Sequence, residues 1–380
     1  MAGSRDTTQT VAAAGRGERR PAFASGSALA TEVREQVEAH LRACGKLPRA
    51  YVSFYAKAIF AVSLTLGSWA VLMLASPGPP LALSCLCGIA AGTLLTGFCI
   101  QHDANHGAAF AHRRYNRLLG LSSDALMGFS SHAWRVKHNV THHTYTNVDT
   151  YDIDISQPPL IRLAPAQEPR WWYRLQHVYV WPLYTLMAFR LQLFGDPLAY
   201  ARGNVAQSRL RLPRGWELTG MLAGRAVFLG WAVVCPLLVY PWQTAAIGYG
   251  CVVGAMSVGM VTIFQLAHCV EEATYLGPAD LAAETRDWTA HQIETTVDFC
   301  PRNPFLTWVL GGLNYQIEHH LFPRLPHTIY PEIAGIVRSC AERHGVRYTC
   351  QPSFAAAFGS HWRHLRAMGR LGRPPEIDMG

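Results

Sequence analysis

The chain is short of charge and of the cysteine spacings that hold zinc or run thiol redox chemistry, and both shortages narrow what it can be. Of its 380 residues only 15% are Asp, Glu, Lys or Arg, against roughly 25% in an average soluble domain. No charged residue occurs between Lys57 and Asp103, and none between Arg225 and Glu271. Uncharged stretches of that length exclude an ordinary soluble surface and point to a bilayer, whose hydrocarbon core takes about 20 apolar residues per helix. Ten cysteines are present without one CxxC pair. Cys85, Cys87, Cys99, Cys235 and Cys251 fall inside apolar runs and read as small buried hydrophobes. Neither a signal peptide nor a short cysteine-dense body is visible, which excludes a secreted disulfide scaffold and implies a reducing cytosol. No aromatic-basic motif recommends nucleic acid.

What is there divides into four apolar segments. "SPGPP" at 76–80 splits the first run, and Pro241, Trp242 and Gln243 split the second. The expected membrane helices are about 58–76, 81–101, 221–241 and 244–267, arranged as two hairpins. Shorter apolar stretches near 118–131 and 179–194, interrupted by Asp124 and Arg190, are expected to pack on the hairpins or lie in the interface. Two hairpins leave both termini and the middle segment on one side. All 33 Lys and Arg then share that side, which the positive-inside rule names cytoplasmic. The fold expected is all-α and integral to the membrane, with a cytoplasmic helical cap. Residues 1–30, rich in Ala, Gly, Ser, Thr and Arg, read as a disordered tail, 31–370 as one membrane domain, and 371–380 as a C-terminal tail. The aromatic stretch "RWWYRLQHVYVWPLY" at 170–184 suits either a water-lipid boundary or an ordinary core. Formal net charge is +8; besides signalling topology, it suits anionic lipid or another acidic partner.

Of 17 histidines, eight cluster near the ends of the expected spans. "HDANH" supplies His102 and His106, "HNVTHH" supplies His138, His142 and His143, "FQLAHCVEE" supplies His268, and "QIEHH" supplies His319 and His320. In a helix, positions i and i+4 share a face, so His102 with His106 and His138 with His142 are each expected to present two imidazoles in one direction. An adjacent histidine, His143 or His320, points about 100° away and reaches a second ion or another side of the first. Eight imidazoles exceed what one tetrahedral zinc uses, so the count favours two ions. Imidazole suits iron, copper, zinc and nickel alike, and ligand type leaves the metal open. His112, His132, His177, His291, His327, His344, His361 and His364 read as interfacial or satisfied polar residues.

These segments, with "HQIETTVDF" and "GGLNYQIEHHLFPRLPH", resemble the integral-membrane fatty acid desaturases from about residue 85 to residue 370. The glutamine of "QIEHH", Gln316, is similar to the front-end and related bacterial acyl desaturases. The resemblance implies a nonhaem diiron centre held by His102, His106, His138, His142, His143, His268, His319 and His320. Gln316 stands where some relatives have a ligand. Asp103, Asp149, Asp152, Asp154, Asn314 and Glu318 are candidates to ligate or to hold the imidazoles, since a ligating histidine usually gives its other N–H to a carboxylate or carbonyl. The implied reaction uses dioxygen and two electrons to place a double bond in an acyl chain carried on CoA, acyl carrier protein or lipid. Many front-end relatives carry a fused haem domain with an HPGG motif, which this chain lacks. A separate donor is therefore expected, a ferredoxin or a small cytochrome with its reductase. The Arg-rich composition and the resemblance together suggest a bacterial inner membrane. A hydroxylase or acetylenase on the same scaffold is the alternative reaction. A metal transporter or haem-binding membrane protein is the alternative class, disfavoured because it needs polar groups inside the spans, which are expected to be free of charge.

Overall fold

The computed structural model describes residues 22–24, 26–46, 52–205, 207–277, 280–281 and 286–372. Among the described residues four helices are long and apolar enough to cross a membrane: Val52–Ala75, Pro79–His106, Trp216–Val239 and Trp242–His268. They form the two expected hairpins. The first turns at Ser76, held at φ +44°, and restarts with Pro79, whose missing N–H costs nothing in a helix's first turn. The second breaks at Pro241, which cannot donate to continue the preceding helix.

The helices run further than the apolar stretches that suggested them, which corrects the expectation of charge-free spans. The first begins at Val52 and takes in Lys57; the second continues to His106 and takes in Asp103; the third starts at Trp216 and takes in Glu217, in addition to Arg225, which the expected 221–241 already held. Alternating helix direction brings all four charges to the same end of the assembly. There Lys57 and Asp103 are buried against protein, so a run of apolar letters understates how far a helix extends where neighbours satisfy the charge.

Close backbone approach holds the first hairpin together. A Cβ at Gly92 would stand 2.3 Å from Thr65 Oγ1 and 2.7 Å from the Ala61 carbonyl oxygen, the small-residue contact that membrane helices use in place of a hydrophobic driving force. Trp69 donates from its indole to the Trp231 carbonyl at 2.9 Å, joining the two hairpins.

The remaining elements form a helical cap at the charged end. Helix Arg113–Met127 packs on the third span, where Gly220 and Gly224 face Leu121 and Asp124. Helix Ala28–Ala43 lays Leu29, Val33, Val37 and Leu41, each four residues after the last, on Ile333, Val337, Cys340 and Ala341 of helix Tyr330–Arg343. The end of the first hairpin, Leu95 to Ile100, shares a core with Ile263, Leu266 and Ala267 of the last span and with Leu310 and Leu313 of the cap. Strand pairs are minor: Asn204–Val205 with Ser208–Arg209, antiparallel, and Asp298–Phe299 with Cys350–Gln351, parallel.

Two expectations change. Residues 1–21 and 373–380 lie outside the described residues, but order begins before residue 31: Ala24 pairs with Asp287, and Ser27 caps the helix that starts at Ala28 by accepting the Ala30 N–H at 3.0 Å. Among the cysteines of the apolar runs, Cys85 and Cys99 are buried, whereas Cys87 and Cys251 face outward and Cys235 is half-buried. Apolar sequence in a bilayer covers the outer face as well as the core, so hydropathy alone does not bury a side chain. The two shorter apolar stretches do not span: the first is helix Arg113–Met127 and the second is broken between helices Gln176–Tyr184 and Met187–Arg190. In the aromatic stretch Trp171 is 79% exposed while Tyr173, Val180 and Tyr184 are buried, so it serves as both outer surface and core.

Two of the histidine-bearing segments depart from regular α-helix. The second span passes through a π-helical turn at Thr96–Gln101 just before His102, and Ser131–Arg135 continues as a π-helix over Val136–His142. In each, the extra residue per turn re-aims the side chains beyond it.

Candidate metal centre

Each cluster of histidines arrives on a different element. His102 and His106 end the second span, and His268 ends the fourth. His138, His142 and His143 sit on the π-helical turn and its cap, and His319 and His320 on helix Gln316–Leu321. All eight side chains are buried. His102, His106, His138 and His319 can each offer one nitrogen within 4.8 Å of the others, as can His142, His268 and His320; His143 forms a further group with His319 and His320. The eight therefore form two donor sets with His143 between them.

Local geometry explains the division. His102 and His106 share a face as the i, i+4 spacing requires, with ring centroids 4.7 Å apart. The second cluster keeps the i, i+4 contact, with His138 and His142 stacked at 5.1 Å, and adds another. Its π-turn bonds the His143 N–H to the His138 carbonyl, so the i, i+5 pair meets, Nε2 to Nε2, at 3.1 Å, and His142 joins the other set. His319 and His320, adjacent in sequence, lie with rings at 89° and face different sets.

The donor chemistry fits cations. Burial and the neighbouring imidazoles hold His138, His143, His319 and His320 well below the ordinary histidine range, so the rings are neutral and able to ligate. Nε2 of His102, His106, His319 and His320 is buried without a hydrogen-bond partner among the described residues. Buried polar nitrogens are otherwise almost always paired, and bare nitrogens converging from several elements are what an ion would satisfy.

With this geometry, the comparisons are decisive. A family model described as fatty acid desaturase matches residues 76–352. The chain belongs to the fatty acid desaturase family. It is 34% identical over 339 residues to the sn-1 linoleoyl-lipid 6-desaturase of Synechocystis sp., covering 88% of this chain and 94% of that one. The protein of that name from Arthrospira platensis is 32% identical over 350 residues, with 91% and 94% covered. The acyl-lipid (8-3)-desaturase of Physcomitrium patens is 35% identical over 278 residues, which is 72% of this chain and 57% of the moss protein. The chain is thus an acyl desaturase enzyme.

The acids of the desaturase divide between those that reach the imidazoles and those that do not. Asp152, fully buried, faces His142 Nδ1 at 3.0 Å and accepts the Asn147 N–H at 3.0 Å. Burial lowers the His142 pKa, and the Asp152 carboxylate more than offsets it, leaving it above the ordinary value with its proton on Nδ1. Asp154 lies 3.6 Å from the same nitrogen and pairs with Lys137 at 2.6 Å. Asp103 lies 3.7 Å from His102 Nδ1. Gln316 Nε2 is 2.9 Å from His268 Nε2, and its oxygen is buried without a partner among the described residues. Asp149, Asn314 and Glu318 are elsewhere. Asp149 accepts from Ser156 and Gln167 and braces a loop, and Asn314 donates to Thr307. Glu318 points away from its histidine neighbours, because successive helical side chains diverge, and meets Tyr348 at 3.0 Å. Burial and the nearby Asp298 raise Glu318 well above the carboxylate range, and burial raises Asp298 to about 6.

Several supporting residues are not among the candidates read from the sequence. His320 Nδ1 donates to Gln292 Oε1 at 2.7 Å, and Thr146 donates to the same oxygen at 2.9 Å. Trp134 stacks on His138 with ring centroids 4.2 Å apart. Asn147, at φ +55°, donates from its amide to the carbonyls of His268, Thr274 and Thr295. It ties the second cluster to the end of the fourth span. Gln292 lies in "HQIETTVDF", one of the segments that carry the family resemblance, and Thr146 and Asn147 follow closely on His143. His327, an ordinary polar residue by its sequence context, is buried and contacts Asp103 at 2.8 Å.

A cavity of about 270 Å³ is lined by His102, His138, His142 and His268 together with apolar side chains including Leu94, Phe98, Met127, Phe129, Met256 and Phe264. Lys137, Arg190 and Arg202 also border it.

Proposed function

We propose that this protein is a membrane fatty acyl desaturase that uses dioxygen and two electrons at a nonhaem diiron centre to introduce a double bond into an acyl chain esterified to a lipid. The observation that carries the reading is the pair of imidazole sets, His102, His106, His138 and His319 beside His142, His268 and His320 with His143 between, of which His102, His138, His142 and His268 border a largely apolar cavity. The names of the relatives, which refer to lipid-bound acyl groups, support the lipid carrier. Two irons bound there would supply the dioxygen activation that removing two hydrogens from an unactivated methylene pair requires.

The protein's own part is positioning. The apolar cavity wall holds an alkyl chain dry and extended against the donor sets, and that orientation is worth several orders of magnitude in rate. Trp134, stacked on His138, fills the space beside the ring and excludes water from it. Asp152 and Gln292 hold the protons of His142 and His320 on Nδ1, leaving Nε2 of each free to ligate. Gln316, beside His268, is placed to ligate through its unpartnered oxygen or to bond a ligand. The cap and both termini lie on the cytoplasmic side of a bacterial inner membrane in this reading, where a separate ferredoxin or small cytochrome with its reductase delivers electrons.

The test is expression in a host lacking the activity, with a ferredoxin system, and fatty acid profiling beside a His142→Ala, His143→Ala double variant. A product two mass units lighter that vanishes in the variant is expected, and its double-bond position fixes regioselectivity. A product sixteen units heavier would overturn desaturation in favour of hydroxylation. Metal analysis is expected to return two irons per chain and no haem absorption.

A further inference from the structure

A cation inside a bilayer-length helix is rare, and it is retained where it has a partner and a task. Lys57 is 4% exposed. Its ammonium donates to the Trp308 carbonyl at 2.8 Å, meets His327 Nε2 at 2.9 Å and lies 5.0 Å from the centre of the Trp308 ring. An ammonium only donates, so His327 Nε2 must be bare and the ring proton must sit on Nδ1. That proton goes to Asp103 Oδ2 at 2.8 Å, and the His327 backbone N–H reaches the same oxygen at 3.2 Å. The other Asp103 oxygen stands 3.7 Å from His102 Nδ1. At that distance Asp103 makes no hydrogen bond and neither ring nitrogen of His102 has a partner among the described residues, but the carboxylate's charge favours the tautomer protonated on Nδ1, which leaves Nε2 as the ligating atom.

The same turn serves a second histidine. Tyr330 OH donates to the Leu325 carbonyl at 3.1 Å and so has only its lone pairs to offer His319 Nδ1, 3.2 Å away. His319 must be the donor, and its Nε2 is left bare and without a partner. His102 and His319 belong to one donor set. The segment is also seated closely. Gly312, at φ +69°, allows the approach, since a Cβ there would lie 2.8 Å from the His327 carbonyl oxygen and 3.1 Å from Tyr330 Cδ2.

We propose that Lys57, His327 and Tyr330 are positioning residues forming one clasp, which fixes the tautomers of His102 and His319 and thereby sets the affinity of one of the two metal positions. Lys57 acts at a distance, through His327 and Asp103, and Tyr330 acts directly. The other position, built on His142, His268 and His320, takes its support from Asp152 and Gln292 and does not depend on the clasp. This inference rests on the two-metal reading above.

The experiment is an anaerobic titration of full-length apo-protein in detergent with ferrous iron, in competition with a chromophoric chelator. Wild-type protein is expected to bind two ions. Lys57→Met and Tyr330→Phe, the second of which keeps the ring and its packing, are each expected to weaken one of them by about 10–100-fold and leave the other at its wild-type affinity. That retained ion is also the check on folding. Lys57→Met added to Asp103→Asn is expected to weaken the ion no further than Asp103→Asn alone, because Lys57 works through that carboxylate. Both ions bound as tightly as in wild type, or both weakened alike, would overturn the clasp and leave Lys57 as a packing residue. An additive double variant would also overturn it. A wild-type chain that binds fewer than two ions would overturn the two-metal reading, and this inference with it.

Discussion

Asp124 offers a test of the buried polar network that is independent of metal. Burial raises its pKa to about 7, against hydrogen bonds from Ser131 and Gln101 that pull it down. The contacts show how the neutral acid is satisfied. Ser131 Oγ lies 2.5 Å from Asp124 Oδ1 and 3.0 Å from the Gly120 carbonyl, so a protonated Asp124 donates to Ser131, which donates onward to Gly120. The Ser131 N–H and the Gln101 amide reach the carboxyl at 3.0 and 2.8 Å in either state. With an unfolded pKa near 3.9, the unfolded chain holds fewer protons than the native one between about pH 4 and pH 7. Stability from this group is therefore complete below about pH 4 and falls as pH rises, until it is lost near pH 7. Three units correspond to about 4 kcal/mol. Asp124→Asn keeps an amide donor for Ser131 and an oxygen for the N–H groups but does not titrate. Melting temperatures of the detergent-solubilised pair at pH 5 and pH 8 should diverge, with the Asn variant gaining on wild type at the higher pH. Parallel profiles for the two proteins would refute the reasoning, because every other titrating group is common to both.

Three further perturbations target particular contacts. Gln292→Leu removes the acceptor of the His320 Nδ1 proton and should weaken one iron equivalent by about 10–100-fold, read by metal content after dialysis against a mild chelator. Gly92→Ala drives a methyl into Thr65 and the Ala61 carbonyl and should cost about 1–3 kcal/mol; Gly67→Ala, with open space at its Cβ, should leave the melting temperature unchanged. Asn147→Gly keeps the left-handed backbone but loses the two N–H donors that three carbonyls share, at about 1 kcal/mol for each donor, whereas Asn147→Ala adds strain at φ +55°; the melting order should be wild type, then Gly, then Ala.

The spans and the histidines were legible because each obeys a rule that reads one segment at a time: length of apolar run for the first, cluster spacing for the second. Helix ends were not legible where a charge is neutralised from afar, as Lys57 is by the carbonyl of Trp308 and the ring of His327. His327 failed as a forecast for the same reason, since a lone histidine declares nothing until Asp103, more than two hundred residues away, is seen against it. Among the acids, Asp152 and Asp154 share a sequence neighbourhood with Asp149, yet only the first two reach His142. A loop's turn decides between them, and composition carries no record of it. The i, i+4 rule paired His102 with His106 and His138 with His142 correctly but missed the contact of His138 with His143, because nothing in "HNVTHH" announces a π-turn.

That π-turn makes ligand placement in the second cluster a matter of counting. A π-helix is an α-helix carrying one residue more than its turn needs, so removing a single residue from Val136 or Lys137 would let the segment relax to ordinary pitch. In a helix of ordinary pitch His138 and His143, five residues apart, point about 140° from one another, so the pair that meets across the π-turn would be parted although every histidine remained in the chain. The second cluster is thus more vulnerable to a lost codon than to most exchanged ones.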